Sequence, residues 1–384
     1  MTAARFYFDW GNYVTMLKLL RAEPDAARRR RLQALFVVGI PLMAAIHTVC
    51  FALDPILFPA LRRTDVREPV FCVGHARSGT TYLHRLMARD DRFSVVMLYE
   101  MLFPSLLEKR LLRLLFRADE VLFARRLRRR IEDAEDRAFA ETNDMHRTGF
   151  FSPEEDDFLL TCSMASGAWI ALFPYMGRFD FYHLDRWSPA RRRRVMEFYK
   201  QCVRRQLVLN KRSVHLSKNP TFCGRIDTLI EVFPDAKFVV LMRNPYETIP
   251  SLLKMLQTSW RLRGHDEQLI TESLTLLADQ SYHSYRHPND VLARHPEIRS
   301  CVVDYRALVA EPGETMRHVY DSLDLDLPAA LAASFDASRG KGHETLHRYS
   351  LEEFGLDPRD IHTELADLFE QYSWDTEGEH ADAT

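Results

Sequence analysis

The sequence predicts an α/β protein: a three-layer α/β/α arrangement around a central parallel sheet, with an N-terminal helical apolar segment added to it. Three observations carry this. Short runs of β-branched and aromatic residues alternate with longer stretches of helical periodicity. The runs are apolar throughout rather than at every second residue, as strands buried on both faces are. Three polar clusters, "HARSGTT", "SKNP" and "RNP", sit at the carboxyl ends of these runs, the edge where open parallel sheets bind ligands.

The elements follow in order. "PVFCVG" reads as a strand and "TTYLHRLMARD" as a helix with Leu83, Leu86 and Met87 on one face. Residues 100 to 140 read as helical, apolar on one side and arginine-rich on the other. "SPEEDDFLLTCSMA" starts a further helix, with Ser152 and Glu155 spaced as a capping box and Pro153 at its first position. "PARRRRVMEFYKQCVRRQLVLN" is a long amphipathic helix, "SVHLSKNP" a strand, "TFCGRIDTLIEVFP" a helix and "AKFVVLMRNP" the strongest strand. "YETIPSLLKMLQTSW" is helical, with Pro250 in its first turn or at a kink. "IRSCVVDYRAL" is the last strand, and no internal repeat appears.

Residues 1–64 stand apart as an amphipathic and apolar segment, before a main domain over 65–374 and an acidic tail over 375–384 read as disordered. "LQALFVVGIPLMAAIHTVCFAL", residues 32–53, has no formal charge and is long enough for a hydrocarbon core of about 30 Å. Gly39, Pro41 and the prolines of "DPILFP" suggest a bent, half-inserted hairpin, and the preceding arginines hold the N-terminus on the cytoplasmic side. The expectation is a cytoplasmic protein associated with the membrane through residues 32–59; a buried helix of the globular domain is the competing reading.

Composition narrows the partners. The 52 Lys and Arg balance 54 Asp and Glu, so no whole-molecule field favours nucleic acid. Arginine runs at 28–31, 125–130 and 191–194 read as solvated helix faces or juxtamembrane anchors. The cysteines at 50, 72, 162, 202, 223 and 301 form no C-x-x-C pair, which argues against a zinc or redox site and fits a reducing compartment.

"GHARSGTT", residues 74–81, has the glycine spacing of a triphosphate-binding loop, with Thr80 where that loop carries its lysine. Gly79 lets the backbone approach an anion, the amides of Gly79, Thr80 and Thr81 face it at a helix N-terminus, and Ser78, Thr80 and Thr81 add hydroxyls. Arg77 adds a permanent charge. In "RNPYETIPS", Arg243 leaves a strand end and Ser251 lies eight residues on, past a helix start. The bland alternatives are a capped strand–helix turn and a salt-bridged arginine.

Together these elements resemble the sulfotransferases that use 3′-phosphoadenosine 5′-phosphosulfate (PAPS), in a bacterial-type branch, over roughly residues 65 to 360. The resemblance implies a P-loop-like sulfotransferase fold. It implies a 5′-phosphosulfate held by Arg77, Ser78, Gly79, Thr80 and Thr81, and a 3′-phosphate held by Arg243 and Ser251. A 5′-phosphosulfate in place of a triphosphate accounts for the absent lysine, and no metal is expected. Lys218 in "HLSKNP" is the expected electrophile on the leaving oxygen. Three groups compete for the general base: Glu100 first, then Glu154 or Glu155, then His215, which an extended strand points away from Lys218. The family also suggests a late loop closing on the nucleotide, with Arg339, Lys341 or His347. "LHRYSLEEFG" reads equally as a helix start capped by Ser350. Trp260 and the arginine-rich helices between 105 and 205 are candidates for shaping the acceptor pocket. The acceptor is a hydroxyl or amine on a small molecule, lipid or glycan. Two rivals remain at this stage. A P-loop small-molecule kinase would need Mg·ATP, and "CVVDY" is its nearest second motif. A nucleotide-binding membrane scaffold would bind without turnover.

Overall fold

The computed structural model describes residues 5–138, 149–338 and 350–375. Five parallel strands form its sheet: β1 Val70–Gly74, β2 Phe93–Ser94, β3 Val214–Lys218, β4 Lys237–Met242 and β5 Ser300–Asp304, in the order β2-β3-β1-β4-β5. From β1 the chain runs to β2 and β3 on one side, then crosses to β4 and β5 on the other. That reversal puts the switch point at β1, where an open parallel sheet leaves a crevice beyond its carboxyl edge.

β1 and β4 are buried at every residue, which explains their uninterrupted apolarity. Their alternate residues enter two separate cores. Phe71, Val73, Phe238, Val240 and Met242 face the larger one, with the helices Pro189–Asn210, Pro245–Leu262 and Glu267–Arg294. Val70, Cys72, Val239 and Leu241 face the smaller one, with the helices Thr80–Met87 and Pro312–Ser322. The three-layer α/β/α expectation holds. Helix Glu267–Arg294 occupies a stretch to which the sequence reading assigned no element. Pro250 lies inside helix Pro245–Leu262, one turn later than its first turn.

Three local expectations fail. Residues 26–57 form one continuous helix rather than a bent hairpin. A wider turn at Leu35–Gly39, where Ile40 N–H donates to the Leu35 carbonyl five residues back, absorbs the donor that Pro41 lacks. Ser152 does not cap a helix: its hydroxyl donates to the Gly149 carbonyl, Pro153 bridges to Met97, and only a 3₁₀ stretch follows, at Asp156–Ser163. The capping box occurs instead at Ser105 and Glu108, opening helix Leu106–Phe123. Trp260 is fully buried with its indole N–H on the Ile170 carbonyl, so its ring packs in the core instead of facing solvent.

The N-terminal residues are sewn into the larger core. Tyr13, Met16, Leu20, Phe36 and Phe51 join it, and Asp9 pairs with Arg191. The fully buried pair Asp54–Arg205, at 2.6 Å, anchors the end of the long helix, and Asp54 also caps helix Leu106–Phe123 through the Leu106 and Leu107 amides. By length and composition the Ala26–Leu57 helix could cross a membrane, with a mean hydropathy of 2.2 over its most apolar window. All six cysteines are free. Of the tail, only Asp375 falls within the described residues.

Candidate active site

The loop between β1 and helix Thr80–Met87 needs its glycines. At Gly79 (φ +96°) a Cβ would stand 2.4 Å from the Tyr305 ring, and at Gly74 (φ +151°) 2.5 Å from the Leu241 carbonyl oxygen. Gly79 supplies no side-chain cap, so the Thr80 and Thr81 amides at the helix start keep their donors for an incoming anion, while the Tyr82 amide donates to the Gly79 carbonyl. The Ser78 hydroxyl is buried without a hydrogen-bond partner, the kind of orphan a ligand satisfies. His75 in the same loop stays neutral: burial lowers its pKa to about 4, and its Nε2 lies 2.9 Å from Ser281 Oγ. Positive charge within the loop therefore comes from Arg77.

The second element joins the first directly. Arg77 Nε donates to Ser251 Oγ at 3.1 Å, and Arg243 Nη1 donates to the Arg77 carbonyl at 3.3 Å. The Arg243 guanidinium lies 4.5 Å from the Tyr305 ring centroid, and Glu247 holds its other edge. Tyr305 thus supports both Gly79 and Arg243. The sequence reading missed it; the only signal was an aromatic residue at the end of the last strand. Asp304 beside it caps the next helix and pairs with Arg306.

Lys218 ends β3 beside the loop. Its Nζ donates to Thr81 Oγ1 at 3.4 Å and lies 3.6 Å from Glu154 and 3.7 Å from Glu155. Lys218 and Glu154 are almost fully buried, whereas the Glu155 side chain keeps 26% of its exposure. Burial raises the Glu155 pKa, neighbouring acids raise it further, and Lys218 opposes them.

The rest of the "EEDD" run fixes this geometry. Asp156 accepts from Tyr199 (2.5 Å), His215 (2.8 Å) and Ser217 (2.8 Å). Burial would raise its pKa, but these bonds hold it below the usual carboxylate range. Asp157 pairs with the buried Arg225 at 2.8 Å and accepts from Ser166 and the Gly167 amide. Both aspartates tie the segment to β3 and its surroundings, and their acidity alone did not distinguish them from the glutamates in the sequence. His215 spends its Nε2 on Asp156, on the face of β3 opposite Lys218.

Glu100 lies elsewhere. It is completely buried, with Oε1 accepting from Arg113 and Tyr99 and Oε2 from Gln206 (2.7 Å) and the Met97 amide. Neither Lys218 nor any loop residue is among these partners. Arg339, Lys341 and His347 fall outside the described residues, while Glu353 N–H does donate to Ser350 Oγ at 3.3 Å. Among the described residues one trio, Asp185, Asp227 and His287, has the spacing of metal ligands. Asp185 already accepts from the Asp227 and Thr228 amides and from His287, so it serves as a helix cap.

The site can therefore hold a polyanion between Arg77, Arg243, Ser251 and a helix N-terminus, with a lysine and two carboxylates at one end. The curated proteins similar to this chain include the omega-hydroxy-beta-dihydromenaquinone-9 sulfotransferases Stf3 of Mycobacterium bovis and Mycobacterium tuberculosis, each 27% identical over 263 residues. The match covers 67% of this chain and only 63% of those proteins' length. Among solved structures, sulfotransferase STF9 from Mycobacterium avium superposes with a TM-score of 0.69 at 18% identity, covering 98% of this chain and 95% of that one. Sulfotransferase STF1 from Mycobacterium tuberculosis H37Rv gives 0.64 at 21%, with 94% of each chain covered. At those identities the structures establish the shared fold alone. The sequence also matches the sulfotransferase family model over residues 69–329, a span that holds the Gly79 loop, Arg243, Ser251 and Lys218, and the chain belongs to the sulfotransferase family.

Proposed function

We propose that this protein transfers a sulfuryl group from PAPS to the hydroxyl of an apolar, lipid-like acceptor. One observation carries the donor: Arg77, Ser251 and Arg243 are hydrogen-bonded into one unit beside the Gly79 turn. Two phosphate-type groups on the 5′ and 3′ positions of one ribose explain why two separate elements should be joined this way. The amides of Gly79, Thr80 and Thr81, the orphan Ser78 hydroxyl and Arg77 suit the 5′-phosphosulfate; Arg243 and Ser251 suit the 3′-phosphate. When bound, the donor supplies a sulfur centre to which an acceptor oxygen bonds as the bond to the bridging phosphate oxygen breaks.

The chain's residues take the remaining roles. Glu155 is the general base. It is the partly exposed carboxylate at Lys218, and its raised pKa gives it the affinity to take the acceptor's proton. On this reading the base is the second of the sequence-derived candidates, and Glu100 has a structural role. Lys218, held between Thr81 and the two glutamates, neutralises charge on the leaving oxygen. Glu154, whose Oε1 lies 3.3 Å from Ser152 Oγ, orients the lysine. The acceptor class follows the similar proteins, whose name specifies a hydroxylated menaquinone.

Calorimetric titration with adenosine 3′,5′-bisphosphate tests the donor. Metal-independent micromolar binding is expected, weakened in Arg243→Ala by about 1.5–3 kcal/mol, or roughly ten- to a hundredfold. Binding of Mg·ATP with no affinity for the bisphosphate would overturn the reading in favour of a kinase.

A further inference from the structure

The protein carries an apolar surface that its own core does not use. On helix Ile40–Leu57 and the turn before it, Val38, Leu42, Ile46, Val49, Leu53 and Ile56 recur every three or four residues and are 38–66% exposed. They form one stripe. The opposite stripe, Phe36, Ile40, His47, Phe51 and Asp54, is buried. A second stripe lies on the neighbouring helix Leu106–Phe123, where Leu111, Leu114, Leu115, Val121 and Leu122 are 49–75% exposed.

The two helices are held together and to the same support. His47 contacts Glu108 at 2.7 Å, and Asp54 caps the start of the second helix. Both then bind helix Pro189–Asn210: Asp54 through Arg205, and Lys109 through Gln206 at 2.7 Å. Each helix turns its polar, buried side to that support, so each turns its apolar stripe away from it. Scattered exposed leucines need no explanation; two adjoining stripes facing outward do.

We propose that these two helices together are a docking surface for an anionic lipid bilayer, lying in the interfacial plane rather than spanning it. Charge identifies the occupant. Residues 26–53 contain no acidic side chain. Exposed arginines stand at both ends of the long helix, Arg30 and Arg31 at one and Arg62 and Arg63 at the other, and Arg126, Arg129 and Arg130 follow the second helix. Basic residues bordering an apolar helix face match headgroup phosphates above acyl chains. A second copy of the chain fits less well, because a two-fold pairing in either direction would bring arginine-rich ends against each other. Spanning is opposed by the buried ion pair at Asp54 and by the Tyr13 hydroxyl on the Phe36 carbonyl, which keep the helix on the folded body. This inference does not depend on the identity of the donor or acceptor.

Flotation of the full-length protein with vesicles of phosphatidylcholine containing phosphatidylglycerol tests it. Co-flotation is expected with these vesicles and much less with phosphatidylcholine alone, the preference falling by about fivefold per arginine removed in Arg62→Gln and Arg63→Gln. Leu42→Glu/Val49→Glu and Leu114→Glu/Leu122→Glu should each lower binding roughly tenfold or more. Unchanged melting temperatures would show both variants folded. No flotation of the parent protein overturns the proposal, as does full binding by the second pair. A dimer that both pairs dissociate, without any vesicle binding, would assign the surface to a second copy and overturn it as well.

Discussion

Two clusters in this protein place a glutamate against a cation, and they differ in what is left over. Around Glu100 every acceptor site is used: Arg113, Tyr99, Gln206 and the Met97 amide surround a carboxylate with no exposure. Gln206 passes its own carbonyl to the buried Lys109, whose pKa burial lowers to about 8. Around Lys218 the contacts are longer, from 3.4 to 3.7 Å, and Glu155 keeps an edge toward solvent. A carboxylate with every bond made is held in place and has no lone pair for a substrate proton. One held loosely beside a lysine, with burial raising its pKa, has the capacity for proton transfer. On the proposed function, satisfaction separates a structural ion cluster from a reactive one better than residue type or burial does.

Substitutions can break that contrast. Glu155→Gln should lower turnover by about 10²–10⁴ with bisphosphate affinity retained, because it removes the base and leaves the donor contacts intact. Equal activity in wild type and variant would return the base to another residue. The pH profile sharpens the same point. A base works deprotonated, so kcat/KM should rise through a pKa above the ordinary glutamate value, and this acid limb should vanish in the variant. Lys218→Ala should cost about 10²–10³ in turnover. Glu100→Ala should do the reverse, lowering stability by about 3 kcal/mol in a denaturant titration while the folded fraction turns over normally. A large loss of turnover in folded Glu100→Ala would dissolve the distinction between the clusters.

The smallest effect concerns the anchor of the reactive cluster. The Asp156 pKa is depressed in the folded state, so its contribution is present above the unfolded aspartate value of about 3.9 and is lost as pH falls through the folded one. Asp156→Asn should therefore be less stable by about 2 kcal/mol at neutral pH, with the gap closing in acid. A gap that stays constant with pH would mean the carboxylate's charge is not what the network uses.

Much of this was legible in the chain. The strands of the larger sheet segments, the glycine turn, the Arg243–Ser251 spacing and Lys218 are local features, set by apolar runs, backbone freedom and residue order. What resisted reading was side-chain partnership. In sequence Glu100 follows the apolar run "SVVMLY" and Glu155 lies in the cluster "SPEEDDF", and neither position shows which acid is satisfied. Only packing reveals that Arg113 and Gln206, from two later helices, close around the first. The four acids of "EEDD" are likewise indistinguishable until β3 presents His215 and Ser217 to Asp156, and Arg225 meets Asp157. The apolar run at 32–53 showed its composition but not its two faces, because which stripe is buried depends on Arg205, Glu108 and Tyr13 from elsewhere. Sequence by itself determined four of the five strands, their order along the chain and the glycine-bearing loop after the first, since those follow from periodicity and short-range sterics. Tertiary structure alone decided which carboxylate is satisfied and which stripe is covered, since long-range contacts set both desolvation and hydrogen-bond supply.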